Sequence, residues 1–323
     1  MSASLGQTPA LDHALARVMD QAPLRGVPVA LARGIAPPAA AVLAARLRHA
    51  GADVLDGVGA GPCYVLGVLD EDLTGHRGAT SQLPGFAQDV PVVDLSQSPL
   101  MRLVHDHIGI GQASVMALLD ITNLQLAGRH VVVCGYGPTG AGVAAHAAAL
   151  GARVTVVERD ALRAAKALGQ GHSVERFASV LPRAEVIFAT GEGPDLGQEQ
   201  TRHLASGVIL AVAGMQHSTA LADIARGRSR RSVRAHVEAF DLPDATDLKL
   251  IAGGQPLHLA GGQGLPHGVQ DIMLALHVLA LGQLLRAGPG SAGSVPLDPA
   301  LEAGLAACVV THMGGQLEAQ AGR

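Results

Sequence analysis

The chain has 323 residues, 48% of them apolar and 15% charged, with 23 Lys and Arg against 27 Asp and Glu. That length and apolar content build a sizeable core, as one large α/β domain or two ordinary ones. The net charge of −4 and the lack of a long basic run exclude a nucleic-acid-coating surface, and no uninterrupted apolar run reaches the ~18 residues of a membrane span. Cys63, Cys134 and Cys308 are odd in number and widely spaced, which implies neither a disulfide framework nor a zinc site. The N-terminal stretch lacks a cationic flank followed by an apolar segment, so the expected compartment is the cytoplasm, with no membrane or nucleic-acid partner.

In chain order, residues 1 to about 25 read as a helix with Leu11, Leu15 and Val18 on one face. VPVALA (27–32) reads as a short buried strand, and PPAAAVLAARLRHAG (37–51) as a helix entered by proline and closed by Gly51. ADVLDG and CYVLGVLD (63–70) follow as strands, and this alternation predicts a small parallel sheet. Residues 71–98 read as a polar loop, and about 111–126 as a long helix. AEVIFAT (184–190), GVILAVA (207–213) and KLIAGG (249–254) are further strands, a helix covers about 267–286, and RAGPGSAGS (286–294) is a flexible linker before a last helix.

The most informative stretch is RHVVVCGYGPTGAGVAAHAAALGARVTVVERD (129–160). It sets Gly135, Gly137 and Gly140 in G-x-G-x-x-G spacing between an apolar strand and an Ala-rich helix. The first glycine permits the tight turn, the second lets backbone approach a pyrophosphate, and the third lets helix and strand pack closely. The helix start offers free N–H groups to phosphate, from Thr139 onward because Pro138 has none, and both residues fall at the expected coenzyme site. Glu158 closes the second strand eighteen residues after Gly140, where a carboxylate accepts both ribose hydroxyls and repels a 2′-phosphate. The expected cofactor is therefore NAD. The neighbouring Arg159 is the one feature that would suit a 2′-phosphate.

The chain resembles the S-adenosyl-L-homocysteine hydrolase family over about 70–285. The likeness rests on GIGQASVMALLDITNLQLAGRHVVVCGYG in 109–160, AEVIFATG (184–191), VEAFDLPDATDLKLIAGGQPLHLAGGQGLPHG in 237–276 and the shorter DEDLTGHR (70–77). It implies a doubly wound parallel α/β sheet of Rossmann type that binds NAD, over 109–270. It also implies a reduced α/β substrate domain in 1–108, to which C-terminal helices (271–323) return. By the same resemblance the substrate is a small molecule and the chain a homo-oligomer. The family uses a tightly held NAD to oxidise a ribose 3′-hydroxyl, eliminate the 5′ substituent, add water and reduce the ketone back.

Carried over residue by residue, Glu71 matches the substrate-ribose glutamate. Thr74, Gly135, Gly137, Pro138, Thr139, Gly140, Glu158, Thr190, Gly191 and His258 fall on coenzyme positions. Arg102, Asp106 and His107 match the family's lysine, aspartate and asparagine beside the reacting hydroxyl if one residue is deleted before Gly109; without the deletion Met101, His105 and Asp106 fall there. Arginine stays protonated and does not serve as a base. The family's two catalytic-loop histidines fall on Met215 and Leu265, its asparagine in L-V-N-L falls on His258, and its C-terminal Lys and Tyr have no counterpart. His217 and His267 lie two residues beyond the lost histidines. Either Asp106 or a neighbouring histidine is then the expected base, with His258 a further catalytic candidate, and no metal is expected. Three readings stay open: an NAD-dependent enzyme that oxidises a secondary hydroxyl on a nucleoside-like or other small polar substrate, a true hydrolase with a rearranged acid–base set, and a non-catalytic NAD-binding partner or regulator.

Overall fold

The computed structural model describes residues 7–32, 35, 37–57, 62–67, 77–80, 90–194, 196, 199–214, 230–241, 247–261, 264–287 and 293–318. It divides into two compact units, Met1–His105 with His267–Arg323, and Asp106–Pro266.

The first unit opens with α1 (Pro9–Met19), which buries Leu11, Ala14, Leu15 and Val18 at helical spacing. Then come β1 (Pro28–Leu31), α2 (Pro37–His49), β2 (Asp53–Leu55) and β3 (Tyr64–Leu66). Part of the stretch read as a polar loop at 71–98 is core. β4 (Arg77–Thr80) and β5 (Val92–Asp94) lie there, with Gly78, Ala79, Thr80 and all of β5 buried. Runs of four and three residues are too short for alternation to register. The short α3 (Pro99–Met101) passes into a π-helical stretch, Arg102–Ile110, and then into α4 (Gly111–Thr122), which stops at Asn123 in the left-handed conformation.

The second unit carries β6 (His130–Cys134), α5 (Pro138–Ala149), β7 (Arg153–Val157), α6 (Ala161–Gly169), β8 (Ser173–Val174), α7 (Phe177–Val180), β9 (Val186–Ala189) and β10 (Val208–Val212). It ends with β11 (Arg230–Arg234), β12 (Val237–Asp241), β13 (Asp247–Ile251) and α8 (Leu257–Ala260). Its eight-stranded sheet has the order β11-β12-β13-β10-β9-β6-β7-β8. Every pairing among β8, β7, β6, β9, β10 and β13 is parallel, and the β12 and β11 hairpin adds an antiparallel edge. The chain starts this sheet at β6, builds outward through β7, then crosses to β9, which makes a topological switch point between β6 and β9. β9 and β10 are buried along their full length, as helices on both faces require. Val131 and Val133 pack with residues of α4 and α5 on one face, while Val132 and Cys134 pack with Val180 and Leu181 on the other.

Edge strand β11 lacked an apolar signal because all five of its residues are exposed. Arg230, Arg231 and Arg234 give it a cationic surface that the overall composition did not reveal. Arg230 pairs with Glu238, Arg231 reaches Asp241 at 3.9 Å, and Arg234 donates to the Thr122 carbonyl at 2.9 Å.

The chain returns to the first unit through α9 (His267–Ala287), β14 (Ser294–Pro296) and α10 (Pro299–His312). β14 begins at the end of the segment read as a linker, of which residues 288–292 lie outside the described residues. α9 is, among the described residues, the one helix long and apolar enough to cross a membrane, but 72% of its apolar window is buried within the protein, as in a core helix. The six-stranded sheet of this unit, β14-β5-β4-β3-β1-β2, is parallel throughout. Asp271 of α9 accepts from the Ala10 and Leu11 amides at 3.0 Å each, so a carboxylate from one helix caps the start of another. Glu302 of α10 accepts from the Ser98 hydroxyl and the Leu100 amide at 2.6 Å each and holds the start of α3 in the same way.

Candidate functional site

In the second unit the carboxyl ends of β6, β7, β9, β10 and β13 lead into Gly135–Gly137, Glu158, Thr190–Gly193, Gly214 and, through Pro256, α8. Open α/β sheets bind ligands at this edge. The three motif glycines have different local reasons. Gly135 has φ +100°, and a Cβ there would meet Thr190 Oγ1 at 2.5 Å and the Gly193 nitrogen at 2.7 Å. A Cβ on Gly140 would meet the Gly135 carbonyl oxygen at 2.0 Å, so this glycine closes helix onto strand. Gly137 is unlike both. Its φ of −68° and ψ of −171° suit any residue, and the three atoms nearest its missing Cβ all belong to the Glu192 carboxyl group. The fold itself does not require its bare face.

Gly137 is the N-cap residue of α5, with Pro138 following at the first helical position. Having no side chain, it leaves the first amides of a twelve-residue helix without a cap of its own, as an anion site needs. Thr139 is buried beside it. α5 is positioned from behind by close helix contacts: a Cβ on Gly142 would meet the His107 carbonyl oxygen at 2.0 Å, and one on Gly111 would meet the Gly142 carbonyl carbon at 2.6 Å.

Glu158 is held at the end of β7 by backbone donors. Its Oε2 accepts from the Tyr136 amide at 2.6 Å, and its Oε1 from the Arg159 and Asp160 amides at 2.6 and 3.0 Å. The carboxylate is thereby tied to the glycine turn. The Tyr136 ring is buried, its hydroxyl donates to Gln170 Oε1 at 2.5 Å, and it meets the His172 ring edge-on at 5.8 Å. Burial pushes the Tyr136 hydroxyl pKa up and the His172 pKa down. Thr190 donates its hydroxyl to the Cys134 carbonyl at 2.7 Å and joins the ends of β6 and β9 across the switch point. Gly191 follows at φ +76°.

The other candidates distribute as follows. His107 is half-buried, and its ring donates to the Pro138 carbonyl at the start of α5. Burial lowers its pKa, aided by His146 and Lys166 and opposed by that hydrogen bond, so the imidazole is neutral at neutral pH. Asp106, partly exposed, precedes it in the same unit. Arg102, exposed, belongs to the first unit, as does buried His105. His258 is buried on α8, two residues after Pro256, which bridges to Val212 at the end of β10. His267 is exposed at the start of α9. Glu71, Thr74, Met215 and His217 lie outside the described residues. Among the described residues, no three His, Cys, Asp or Glu side chains are grouped to hold a metal. Sequence reasoning missed Glu192, which follows Thr190 and Gly191 in a loop without periodicity.

These features fit a dinucleotide: a bare glycine face, uncapped helix amides, and an acid fixed at the end of the second strand. One adjustment is needed, because the Glu192 side chain must leave the Gly137 face.

Comparison with known proteins agrees. Residues 108–264 match the family described as S-adenosyl-L-homocysteine hydrolase, NAD binding domain. An adenosylhomocysteinase from Thermoplasma volcanium is 31% identical over 71% of this chain and 57% of its own length. An adenosylhomocysteinase from Thermotoga maritima is 34% identical over 68% and 55%, and an S-inosyl-L-homocysteine hydrolase from Methanothermobacter thermautotrophicus is 29% identical over 73% and 56%. The chain thus spans little more than half the length of these relatives. In fold it is similar to a dipicolinate synthase from Bacillus halodurans, with a TM-score of 0.56, 16% identity, and coverage of 83% of this chain and 100% of that one. Over residues 108–264, then, the chain carries an NAD-binding domain similar to that of the S-adenosyl-L-homocysteine hydrolase family.

Proposed function

We propose that this chain is an NAD-dependent enzyme that oxidises, transiently or outright, a secondary hydroxyl of a nucleoside-like substrate. The observation that carries the reading is Gly137, without a side chain at the start of α5, beside the Glu158 carboxylate that is held at the end of β7. When bound, NAD supplies a reversible two-electron oxidant for such a hydroxyl. The chain's own residues do the rest. The amides at the start of α5 hold the diphosphate, and Glu158 accepts the adenosine-ribose hydroxyls. Gly135, Gly140 and Thr190 fix the turn, and His258 lies at the nicotinamide side.

Two groups of the π-helical stretch are the candidates to take the hydroxyl proton. Asp106 is a carboxylate, and His107 is a neutral imidazole with one ring nitrogen left as an acceptor once the other donates to Pro138. Arg102 orients the hydroxyl, since a guanidinium stays protonated and does not accept a proton. Glu71 binds the substrate ribose.

A second reading, cleavage of a nucleosyl homocysteine thioether, is favoured by the likeness to adenosylhomocysteinases and S-inosyl-L-homocysteine hydrolases. Mixing the NAD-loaded protein with S-adenosylhomocysteine, S-inosylhomocysteine and the free nucleosides, while following NADH absorbance and free thiol, separates the two. NADH formation without thiol release is the expected result. Stoichiometric or catalytic thiol release moves the assignment to hydrolysis. A protein that holds NAD yet reduces none of it with any of these alcohols overturns both.

A further inference from the structure

We propose that Glu192 is a resident anion of the coenzyme cradle, which occupies the diphosphate position until NAD displaces it; this rests on the NAD reading above. Glu192 Oε2, Cδ and Oε1 lie 2.0, 2.3 and 2.6 Å from where a Gly137 Cβ would stand, so the carboxyl group covers the face of this glycine. That face borders the uncapped start of α5, where a carboxylate and a phosphate compete for the same amide field.

The backbone of Glu192 is fastened through its own amide and carbonyl. Its amide donates to Thr190 Oγ1 at 3.4 Å and its carbonyl accepts from Arg163 Nη1 at 3.3 Å. The following Gly193 packs so tightly on Gly135 that a Cβ there would meet the Gly135 Cα and nitrogen at 2.3 Å each. With the loop anchored on both sides, rotation of the Glu192 side chain is the movement that clears the cradle. Two anionic groups at van der Waals distance repel strongly, so the carboxylate and the diphosphate alternate there. Glu192 consequently sets how tightly the coenzyme is held.

The test is calorimetry of NAD and of ADP-ribose with the whole wild-type chain, Glu192→Gln and Glu192→Ala, with thermal unfolding of each protein in the absence of ligand. Both variants are expected to bind both ligands at least tenfold more tightly than wild type. Both should also unfold at a lower temperature when empty, because the helix start has lost its internal anion. Unchanged or weaker binding by the variants overturns the proposal. So does tightening in the alanine variant alone, which assigns the effect to bulk, or tightening toward NAD alone, which assigns it to the nicotinamide. If neither wild type nor variants bind either ligand, the coenzyme reading itself fails and takes this proposal with it.

Discussion

The two units use the side chains that bond to backbone differently. In the second unit they gather at one edge of the sheet: Glu158 on the Tyr136 amide, Thr190 on the Cys134 carbonyl, and the His107 ring on the Pro138 carbonyl. In the first unit they tie together segments far apart in the chain. Asp271 caps α1 across 261 positions, and Glu302 holds Ser98 and Leu100 across more than 200. Buried His277 of α9 donates to the Met273 carbonyl at 2.8 Å, while its Nε2 has no hydrogen-bond partner among the described residues. In one unit these bonds join turns at the carboxyl edge of the sheet, beside the proposed coenzyme site; in the other they join segments distant in the chain. Variants of similar chemical severity should therefore register in binding in one unit and in stability in the other.

The largest effect is expected from Asp271→Ala. It leaves two buried helix amides without an acceptor, a loss of about 4 kcal/mol in denaturant unfolding at 1–3 kcal/mol per orphaned donor. A loss below about 1 kcal/mol would mean that water or Thr8 substitutes as the cap. Next is acid sensitivity through His277. Burial, with the nearby charge of His105, lowers its pKa from 6.5 to about 4. The unfolded chain therefore takes up the proton first as pH falls. The stability associated with neutral His277 is complete above pH 6.5, is lost between 6.5 and about 4, and changes no further below that. The span corresponds to about 3 kcal/mol. A His277→Leu variant should show a correspondingly flatter pH profile of unfolding, and a profile parallel to wild type would count against it.

In the second unit, two glycines of one motif should part company. Gly140→Ala drives a Cβ into the Gly135 carbonyl and is expected to cost about 2 kcal/mol of stability. Gly137→Ala has the end of the Glu192 side chain as its nearest neighbour, so stability should stay within about 0.5 kcal/mol of wild type while NAD affinity falls roughly a hundredfold. Equal stability losses would erase the distinction between a folding glycine and a binding glycine. The smallest effect is Glu158→Ala, with NAD bound roughly tenfold more weakly by calorimetry through loss of a charged acceptor worth about 1.5 kcal/mol. Unchanged affinity would remove Glu158 from the ribose.

The part of this architecture that could be read from residues alone is the part encoded locally. Gly135 to Glu158 fit within one strand–helix–strand span, and each signal there is a short-range one: apolar runs, glycine spacing, a terminal acid. β4 and β5 escaped because three or four buried residues carry too little pattern, and β11 because arginines on an exposed edge look like loop. The motif spacing already separates Gly137, for pyrophosphate approach, from Gly140, for helix–strand packing, but it does not show that the Glu192 carboxyl group lies nearest to Gly137. Glu192 and Asp271 were invisible for the same reason. Each acts on backbone that sequence distance or an irregular loop separates from it, and no periodicity records such a meeting.

The interposition of one unit within the other has a consequence for biosynthesis. A ribosome releases residues 1–105 first, then the whole contiguous stretch that forms the eight-stranded sheet, and only afterwards the helix bearing Asp271 and the strand that completes the parallel sheet of the opening segment. The nascent N-terminal third therefore waits, with α1 uncapped and the β5 edge unpaired, while its neighbour is already able to fold. Premature termination anywhere before residue 267 strands that segment with an open strand edge, the kind of surface that chaperones bind and quality-control proteases remove.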